Sequence, residues 1–412
     1  MSARPMTSID LFAGCGGLSL GLHKSGWDGL FAIERDPMAF DTLRSNLVDD
    51  GGAYAAYQKW PSWLPRIPHD VNEFLSDESI RNHLQSLQGS VTLVAGGPPC
   101  QGFSVGGSRD GTDARNHLVH RLLETVELVR PEVALVENVE GITRPFRSRP
   151  REGAVTSVAD DVVKAFDELG YSASFGIANA SHFGVPQVRR RAIIIAVRKD
   201  LDIEPGAFFE KLESIRVSHL DALGLPTDRP VTAQEAIGDL LSDKRVTSPD
   251  SPLFESSPYG KPIGPYAINM RGGAPTGSVP NSHRYTKHGE RVRGLYEVAH
   301  ATQPKGRLSK DFLLSRGTKK DKKVLIDPNA PVSTITTHPD EFIHYAEPRN
   351  ITVREMARLQ SFPDDFHFHG RYTINGPRRK FDVARCSQVG NAVPPYFAQA
   401  IGAAIKAMLG DR

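Results

Sequence analysis

Through the first half of the chain, short apolar runs alternate with amphipathic stretches, and the alternation predicts a repeating strand–helix rhythm. Ser8-Ile-Asp-Leu-Phe12 reads as a first strand, Ala13-Gly-Cys-Gly-Gly17 as a tight turn, and Leu18 to Lys24 as the helix behind it. Phe31 to Glu34 is a second strand, and Asp36-Pro-Met38 opens a helix with Pro37 at a permitted first-turn position. His69 to Val71 is expected to end a third short strand, with Asn72 capping the next helix. Val91-Thr-Leu-Val-Ala95 is rich in β-branched residues and reads as a buried parallel strand. It breaks at Gly96-Gly97, two prolines fix the backbone, and a loop bearing Gly102, Gly106, Gly107 and Gly111 leads to a helix from His117 to Val129. Glu132 to Asn138 is the next strand, followed by a helix (Val158 to Leu169) and two strands, the last with Gln187 to Arg191 directly ahead of the apolar run Ala192 to Val197.

After Arg198 the rhythm stops. Residues 226 to 349 are rich in Pro, Gly, Ser and charge and predict a separate, irregular domain. Order returns in an amphipathic helix, Thr352 to Gln360, ended by Phe362-Pro363, and again in a terminal helix, Tyr396 to Met408, apolar on one face.

Composition narrows the setting. A chain of 412 residues exceeds one typical domain, and 39% apolar with 24% charged residues is ordinary for a soluble globular protein. Cys15, Cys100 and Cys386 are too few and too scattered for a disulfide framework, and no Cys/His spacing suits zinc. A reducing cytoplasm and no metal are therefore expected. Met1 to Met6 has no apolar segment behind a basic one, so no signal peptide is expected, and no run reaches membrane-spanning length. The net charge of +2 hides a division, for residues 271–323 hold 13 Lys/Arg against 4 Asp/Glu and the remainder is acidic. Such a segment is the footprint of a polyanion partner, or else a solvated basic surface.

Four acids and thiols stand out. Cys100 follows a strand and two prolines, a rigid shelf on which an α/β protein mounts a nucleophile, although a small buried core cysteine is the plainer reading. Glu34 ends the second strand about 20 residues past the glycine turn, where a Rossmann-like unit places the carboxylate that grips ribose hydroxyls. Asp70 either accepts from an adenine amino group or is a helix-start acid. Glu137 follows four apolar residues at the same sheet edge as Cys100; burial would raise its pKa and let it carry a proton near neutrality, and an ion-paired strand-end acid is the alternative. Arg144, Arg147, Arg149 and Arg151 lie in a proline-bearing loop suited to phosphate contacts.

Read in order, six stretches resemble the DNA cytosine-5 methyltransferases: residues 10–17 (Asp-Leu-Phe-Ala-Gly-Cys-Gly-Gly), 96–104 (Gly-Gly-Pro-Pro-Cys-Gln-Gly-Phe-Ser), 137–139 (Glu-Asn-Val), 187–191 (Gln-Val-Arg-Arg-Arg), 354–363 (Arg-Glu-Met-Ala-Arg-Leu-Gln-Ser-Phe-Pro) and 388–394 (Gln-Val-Gly-Asn-Ala-Val-Pro). The resemblance runs over almost the whole chain. It implies a doubly wound, Rossmann-like, S-adenosylmethionine-dependent methyltransferase domain, residues 1–225 completed by 386–412. Residues 226–385 would be a smaller target-recognition domain with its supporting helix.

By the same resemblance Phe12, Gly14, Gly16, Glu34, Asp70, Pro98, Asn391 and Val393 would line the S-adenosylmethionine pocket. Cys100 would add to C6 of a flipped cytosine, Glu137 would hold a proton at N3, and Arg189 and Arg191 would reach the base O2 and a nearby phosphate. The glycine-rich flap, with Gln101 and Ser104, would close on the DNA, while Arg271, Arg284, Arg291 and Arg293 are candidate contacts within the target-recognition domain. The base that removes the C5 proton is not named by these residues and could be water. The implied activity is methylation of cytosine C5 in a specific duplex sequence. A tRNA methyltransferase of the same fold and an inactive DNA-binding paralogue are the alternatives. The long basic variable region argues for duplex DNA, and the presence of both Cys100 and Glu137 argues for an active enzyme. Double-stranded DNA is the expected partner, together with a cognate restriction endonuclease or other defence protein, for a monomer in the bacterial cytoplasm or nucleoid.

Overall fold

The apolar runs of the first half pair into a single six-stranded sheet in the computed structural model, which describes residues 5–99, 117–145, 157–318, 322–338, 340–373 and 382–410. In chain order the elements are β1 (Thr7–Leu11), α1 (Gly17–Lys24), β2 (Asp28–Ile33), α2 (Pro37–Leu47), α3 (Val71–Ser76), α4 (Glu78–Ser86), β3 (Leu93–Gly96), α5 (His117–Val129), β4 (Val133–Val139), α6 (Val158–Glu168), β5 (Tyr171–Asn179), β6 (Gln187–Val188) and β7 (Arg190–Arg198). The strand order is β2-β1-β3-β4-β7-β5. The first four are mutually parallel, whereas β7 runs antiparallel to both β4 and β5. The sheet is thus α/β and mixed, with one reversed strand. Strands covered on both faces need continuous apolar sequence, and Ala192 to Val197 in β7 are all fully buried.

One expected strand is absent. His69 to Val71 is not extended into the sheet; Asp70 is the N-cap of α3, its carboxylate accepting from the Asn72 N–H at 2.8 Å. A side chain that satisfies an orphan helix N–H commits its backbone to a helix start.

By backbone contacts the chain divides into two compact units. The first is Met1–Ala180, Arg190–Arg216 and Phe397–Arg412; the second is Ser181–Arg189 and Val217–Tyr396. In the first unit the C-terminal helix covers the β1–α1–β2 segment. The Trp27 indole Nε1 donates to the Gly402 carbonyl at 3.1 Å, Lys406 Nζ donates to the Gly26 carbonyl at 2.7 Å, and Phe397, Ile401 and Ile405 are fully buried.

The second unit has short strands, among them β6, which pairs parallel with Val332–Ser333, and a core around Leu295, Tyr296, Leu308, Leu313, Leu325 and Ile343. Its central helix, Val353–Leu359, opens on a Thr352/Glu355 capping box and is buried on every side, charged residues included. Glu355 takes a bidentate contact from Arg349 at 2.8 and 2.7 Å, and Arg358 pairs with Asp364 at 2.7 Å and Asp239 at 3.0 Å. Burial alone would raise the Glu355 carboxyl; the Arg349 charge outweighs it and holds the group well below the usual carboxylate range. Breaking one such buried pair typically costs about 3–5 kcal/mol, because the partner is left as an uncompensated charge. No helix among the described residues is long and apolar enough to cross a membrane.

Candidate active site

Strand register brings the sequence-separated motifs of the first unit to one edge. Ile33 of β2 pairs with Leu11, Leu11 with Gly96, Gly96 with Val136, and Val136 with Ile194. The residues that follow this row, Glu34, Phe12, Gly97 and Glu137, therefore emerge together at the carboxyl ends of the parallel strands. An open α/β sheet binds its ligands along that edge. Because β7 is reversed, its beginning, Arg191, reaches the same edge.

The glycine turn between β1 and α1 is tightly wound. Phe12, Gly14 and Gly16 take φ of 59°, 57° and 93°, the left-handed region that side chains other than glycine seldom adopt. A Cβ on Gly16 would lie 2.6 Å from Leu47 Cδ1, and its left-handed φ strains any other residue, so glycine suits the turn where it meets α2. A Cβ on Gly14 would meet nothing within 4 Å, which marks open space over the turn. Glu34 spans this space from below: its Oε2 accepts from the Gly14 N–H at 2.9 Å and its Oε1 from the Asp36 N–H at 2.8 Å. Burial raises the Glu34 carboxyl above its usual range, and the two N–H contacts oppose that rise. Asp70 lies nearby, 3.8 Å from Arg35 and already engaged in capping α3.

At the other end of the row, Glu137 and Arg191 form a diagonal cross-strand pair. Glu137 sits opposite Ile193, two residues from Arg191 and on the same face, and Oε1 lies 2.9 Å from Arg191 Nε. Both side chains are 10% exposed. A Cβ on Gly97 would fall 3.2 Å from Glu137 Oε2, so glycine there lets the backbone lie against the carboxylate. Burial pulls the Arg191 guanidinium below its ordinary pKa, partly restored by Glu137. Arg191 Nη1 also donates to the Arg190 carbonyl at 2.8 Å. Asn138, not singled out from the sequence, donates from Nδ2 to the Pro98 carbonyl at 3.0 Å and accepts from the Val139 N–H at 2.8 Å. That contact pins the Pro98 shelf to β4. Cys100, Gln101 and Ser104, the rest of the flap to residue 116, and Arg147, Arg149 and Arg151 lie outside the described residues. Arg144 is exposed and 3.4 Å from Glu140.

Beneath the glycine turn is a second group that sequence reading overlooks. Tyr57 OH donates to Ser19 Oγ at 2.8 Å, and Ser19 Oγ donates to Asp10 Oδ2 at 2.5 Å, all three buried. Asp10 Oδ1 has no hydrogen-bond partner among the described residues. Burial, with the Glu34 charge nearby, pushes the Asp10 carboxyl up to about 7 against the lowering effect of Ser19. The available signal was an acid set between Ile9 and Leu11 in the first strand. The folded state holds this proton more tightly than an unfolded aspartate does, so the stability it supplies is full below about pH 4 and is lost as pH rises to about 7. The melting temperature of wild type is expected to drop from pH 5 to pH 8 relative to Asp10→Asn, which has no such proton to lose; parallel curves for the two proteins would contradict this.

In the second unit the remaining expectations fare unevenly. Arg189 is 2% exposed, and its Nη groups donate to the carbonyls of Ile335 (3.3 Å), Gly390 (3.1 Å) and Ala392 (3.0 Å). These contacts tie Arg189 and the end of β6 to the segment holding Asn391 and Val393. Asn391 is exposed and Val393 buried. Arg271 is held by main-chain contacts in the same way. It is 6% exposed, donates to the Gly260 and Ala274 carbonyls at 2.9 and 3.0 Å, and lies 3.7 Å from Asp239. Arg291 and Arg293 are exposed on the first turn of the helix Glu290–Thr302, and Arg284 is half-buried.

Comparison with known proteins identifies the family. The model of the family described as C-5 cytosine-specific DNA methylase matches residues 6–407. The Type II methyltransferase M.XorII of Xanthomonas oryzae pv. oryzae is 31% identical, with 98% of this chain and 84% of that protein aligned. M1.HphI of Haemophilus parahaemolyticus, also a Type II methyltransferase, is 28% identical over 98% of this chain and 87% of its own length. Among solved structures, a prophage-encoded E. coli protein described as a DNA modification methyltransferase superposes with a TM-score of 0.66 at 26% identity, covering 98% of this chain and 99% of the other. The chain belongs to the C-5 cytosine-specific DNA methylase family and is a DNA cytosine-5 methyltransferase.

Proposed function

We propose that this enzyme takes its methyl group from S-adenosylmethionine and delivers it to C5 of a cytosine flipped out of a specific duplex sequence, through a covalent bond between Cys100 and C6. The observation that carries the reading is the buried Glu137–Arg191 pair at the strand edge, against Gly97 and beside the Asn138-pinned carbonyl of Pro98. Cytosine C5 is too poor a nucleophile to take a methyl group unaided. A thiolate added to C6 breaks the ring conjugation and places enamine-like electron density on C5. Glu137, as general acid, holds a proton at N3 and neutralises the charge that builds in the ring. Arg191 fixes the Glu137 carboxylate in place, and Asn138 fixes the shelf that leads into Cys100. After transfer a base removes the C5 proton and the thiolate leaves. Stacked duplex cannot present C6 to a buried acid and a thiol at once, so the base must leave the helix at a cost of a few kcal/mol.

The residues fit S-adenosylmethionine as donor. The turn at Gly14 faces open space, Phe12 offers a half-buried ring, and Glu34 places a carboxylate where ribose hydroxyls would lie, with Asp70 beside Arg35 suited to an adenine amino group. Pro98, Asn391 and Val393 complete the set by family pattern. When bound, the sulfonium supplies an electrophilic methyl; the protein supplies orientation and a dry edge. The first unit would carry this chemistry, and residues 226–385 would choose the sequence. The Type II character of the relatives suggests modification of DNA alongside a restriction endonuclease.

Incubation with radiolabelled S-adenosylmethionine and either duplex DNA or tRNA tests the reading. Label recovered as 5-methylcytosine in duplex DNA is expected. Label in tRNA alone, or in neither, would overturn it.

A further inference from the structure

Five side chains of the second unit stack as alternating cations and rings. Lys287 Nζ lies 5.2 Å from the Phe254 centroid, Arg284 Cζ 4.0 Å from Phe254 and 3.9 Å from Tyr372, and Arg385 Cζ 4.4 Å from Tyr372. Among the described residues, the one acid these contacts place against the stack is Asp250, which accepts from Tyr372 OH at 2.6 Å and pairs with Arg385, so it neutralises the far end and leaves Arg284 and Lys287 as net positive charge.

Arg284 is clamped on both faces but poorly satisfied in its plane. Among the described residues its sole hydrogen bond is a long one, Nη1 to Ser251 Oγ at 3.3 Å, and its buried Nε has no acceptor. Arg271 shows the contrast: it also lies over a ring, Tyr259 at 4.6 Å, but main-chain carbonyls consume its fork. Rings on both faces exclude any approach to Arg284 except edge-on, at the two Nη groups. They also fix the guanidinium plane before a ligand arrives. A phosphate needs positive charge but no fixed plane, and exposed Lys287 or Arg293 would serve it as well. A planar pair of acceptors needs the plane, and the major-groove edge of guanine, O6 with N7, presents one.

We propose that Arg284 reads a guanine in the recognised duplex through a bidentate contact, and that the recognition sequence therefore contains a G·C pair besides that of the target cytosine. This rests on the reading of the protein as a sequence-specific DNA methyltransferase. Bisulfite sequencing of a duplex library randomised around cytosine, methylated by wild type, Arg284→Lys, Phe254→Leu and Arg293→Ala, tests it. Wild type should specify at least one such G·C pair. Arg284→Lys should lower the preference for guanine at one position by roughly ten- to a hundredfold, with the other positions unchanged. Phe254→Leu, which keeps the arginine but removes one face of its clamp, should weaken the same position by a smaller factor, so the test survives if the lysine variant fails to fold. Arg293→Ala should slow all sequences alike. A uniform loss with Arg284→Lys would make Arg284 a phosphate contact, and an unchanged preference would make the stack purely structural; either overturns the proposal. Absence of any DNA methylation by wild type would instead defeat the underlying reading.

Discussion

Replacing Cys100 with alanine is expected to bring methyl transfer down to background while leaving duplex binding within a few-fold of wild type. The enzyme has two other thiols, and neither can substitute. Cys15 is 1% exposed within the glycine turn and burial pushes its thiol up to about 12, so it holds almost no thiolate at neutral pH. Cys386 is 2% exposed in the second unit. In the proposed route, without a nucleophile at C6 the ring would keep its conjugation and neither Glu137 nor the donor would have anything to act on. Duplex containing 5-fluorocytosine gives the complementary gain of signal. Fluorine at C5 cannot leave as a proton does, so wild type should be trapped as a covalent adduct and Cys100→Ala should not. Residual turnover in the alanine variant would falsify the covalent route, and an adduct mapped by mass spectrometry to Cys15 or Cys386 would move the nucleophile elsewhere.

The residues at this edge were legible in the sequence because parallel strands buried on both faces must be continuously apolar. Whatever polar residue ends such a strand then stands out, as Glu34 and Glu137 do. What stayed hidden has physical reasons. The reversal of β7 leaves no trace in Ala192 to Val197, since an apolar run reads the same in either direction. Arg189 and Arg191, two residues apart, look like one face of one strand, but β6 ends at Val188 and β7 begins at Arg190, so one guanidinium goes to main-chain carbonyls and the other to Glu137. Asp70 lies at a place where a strand end and a helix cap have the same composition. Arg354, Glu355 and Arg358 mimic the wet face of an amphipathic helix because hydrophobicity scores a charge as exposed, whether or not a partner such as Arg349, Asp364 or Asp239 is waiting for it. The same blindness made Arg271 and Arg284 equivalent as candidates, although one fork is saturated and the other is open.

The pairing of Glu137 with Arg191 makes a second large effect predictable, together with its internal control. Glu137→Gln keeps the shape of the side chain but cannot deliver a proton to N3 as an acid does. Single-turnover methylation should fall by about 10²–10⁴-fold, in the range that general acid–base groups contribute, with donor and DNA affinities little changed. In the proposed mechanism Arg191 would act through that carboxylate, its Nε lying 2.9 Å from Oε1 and its Nη1 turned to the Arg190 carbonyl. Arg191→Met should therefore also depress the chemical step, partly because it leaves Glu137 buried without its cation. In the Glu137→Gln background the same change should cost far less than it does alone, since the group it positions is already disabled. Fully additive losses in the double variant, accompanied by weaker DNA binding in Arg191→Met, would show that Arg191 contacts the nucleic acid itself. Arg191→Lys separates the two roles further, because an ammonium can hold the carboxylate but cannot present a planar fork to a base oxygen and a phosphate together. Near-complete rescue by lysine is the result that a positioning cation requires.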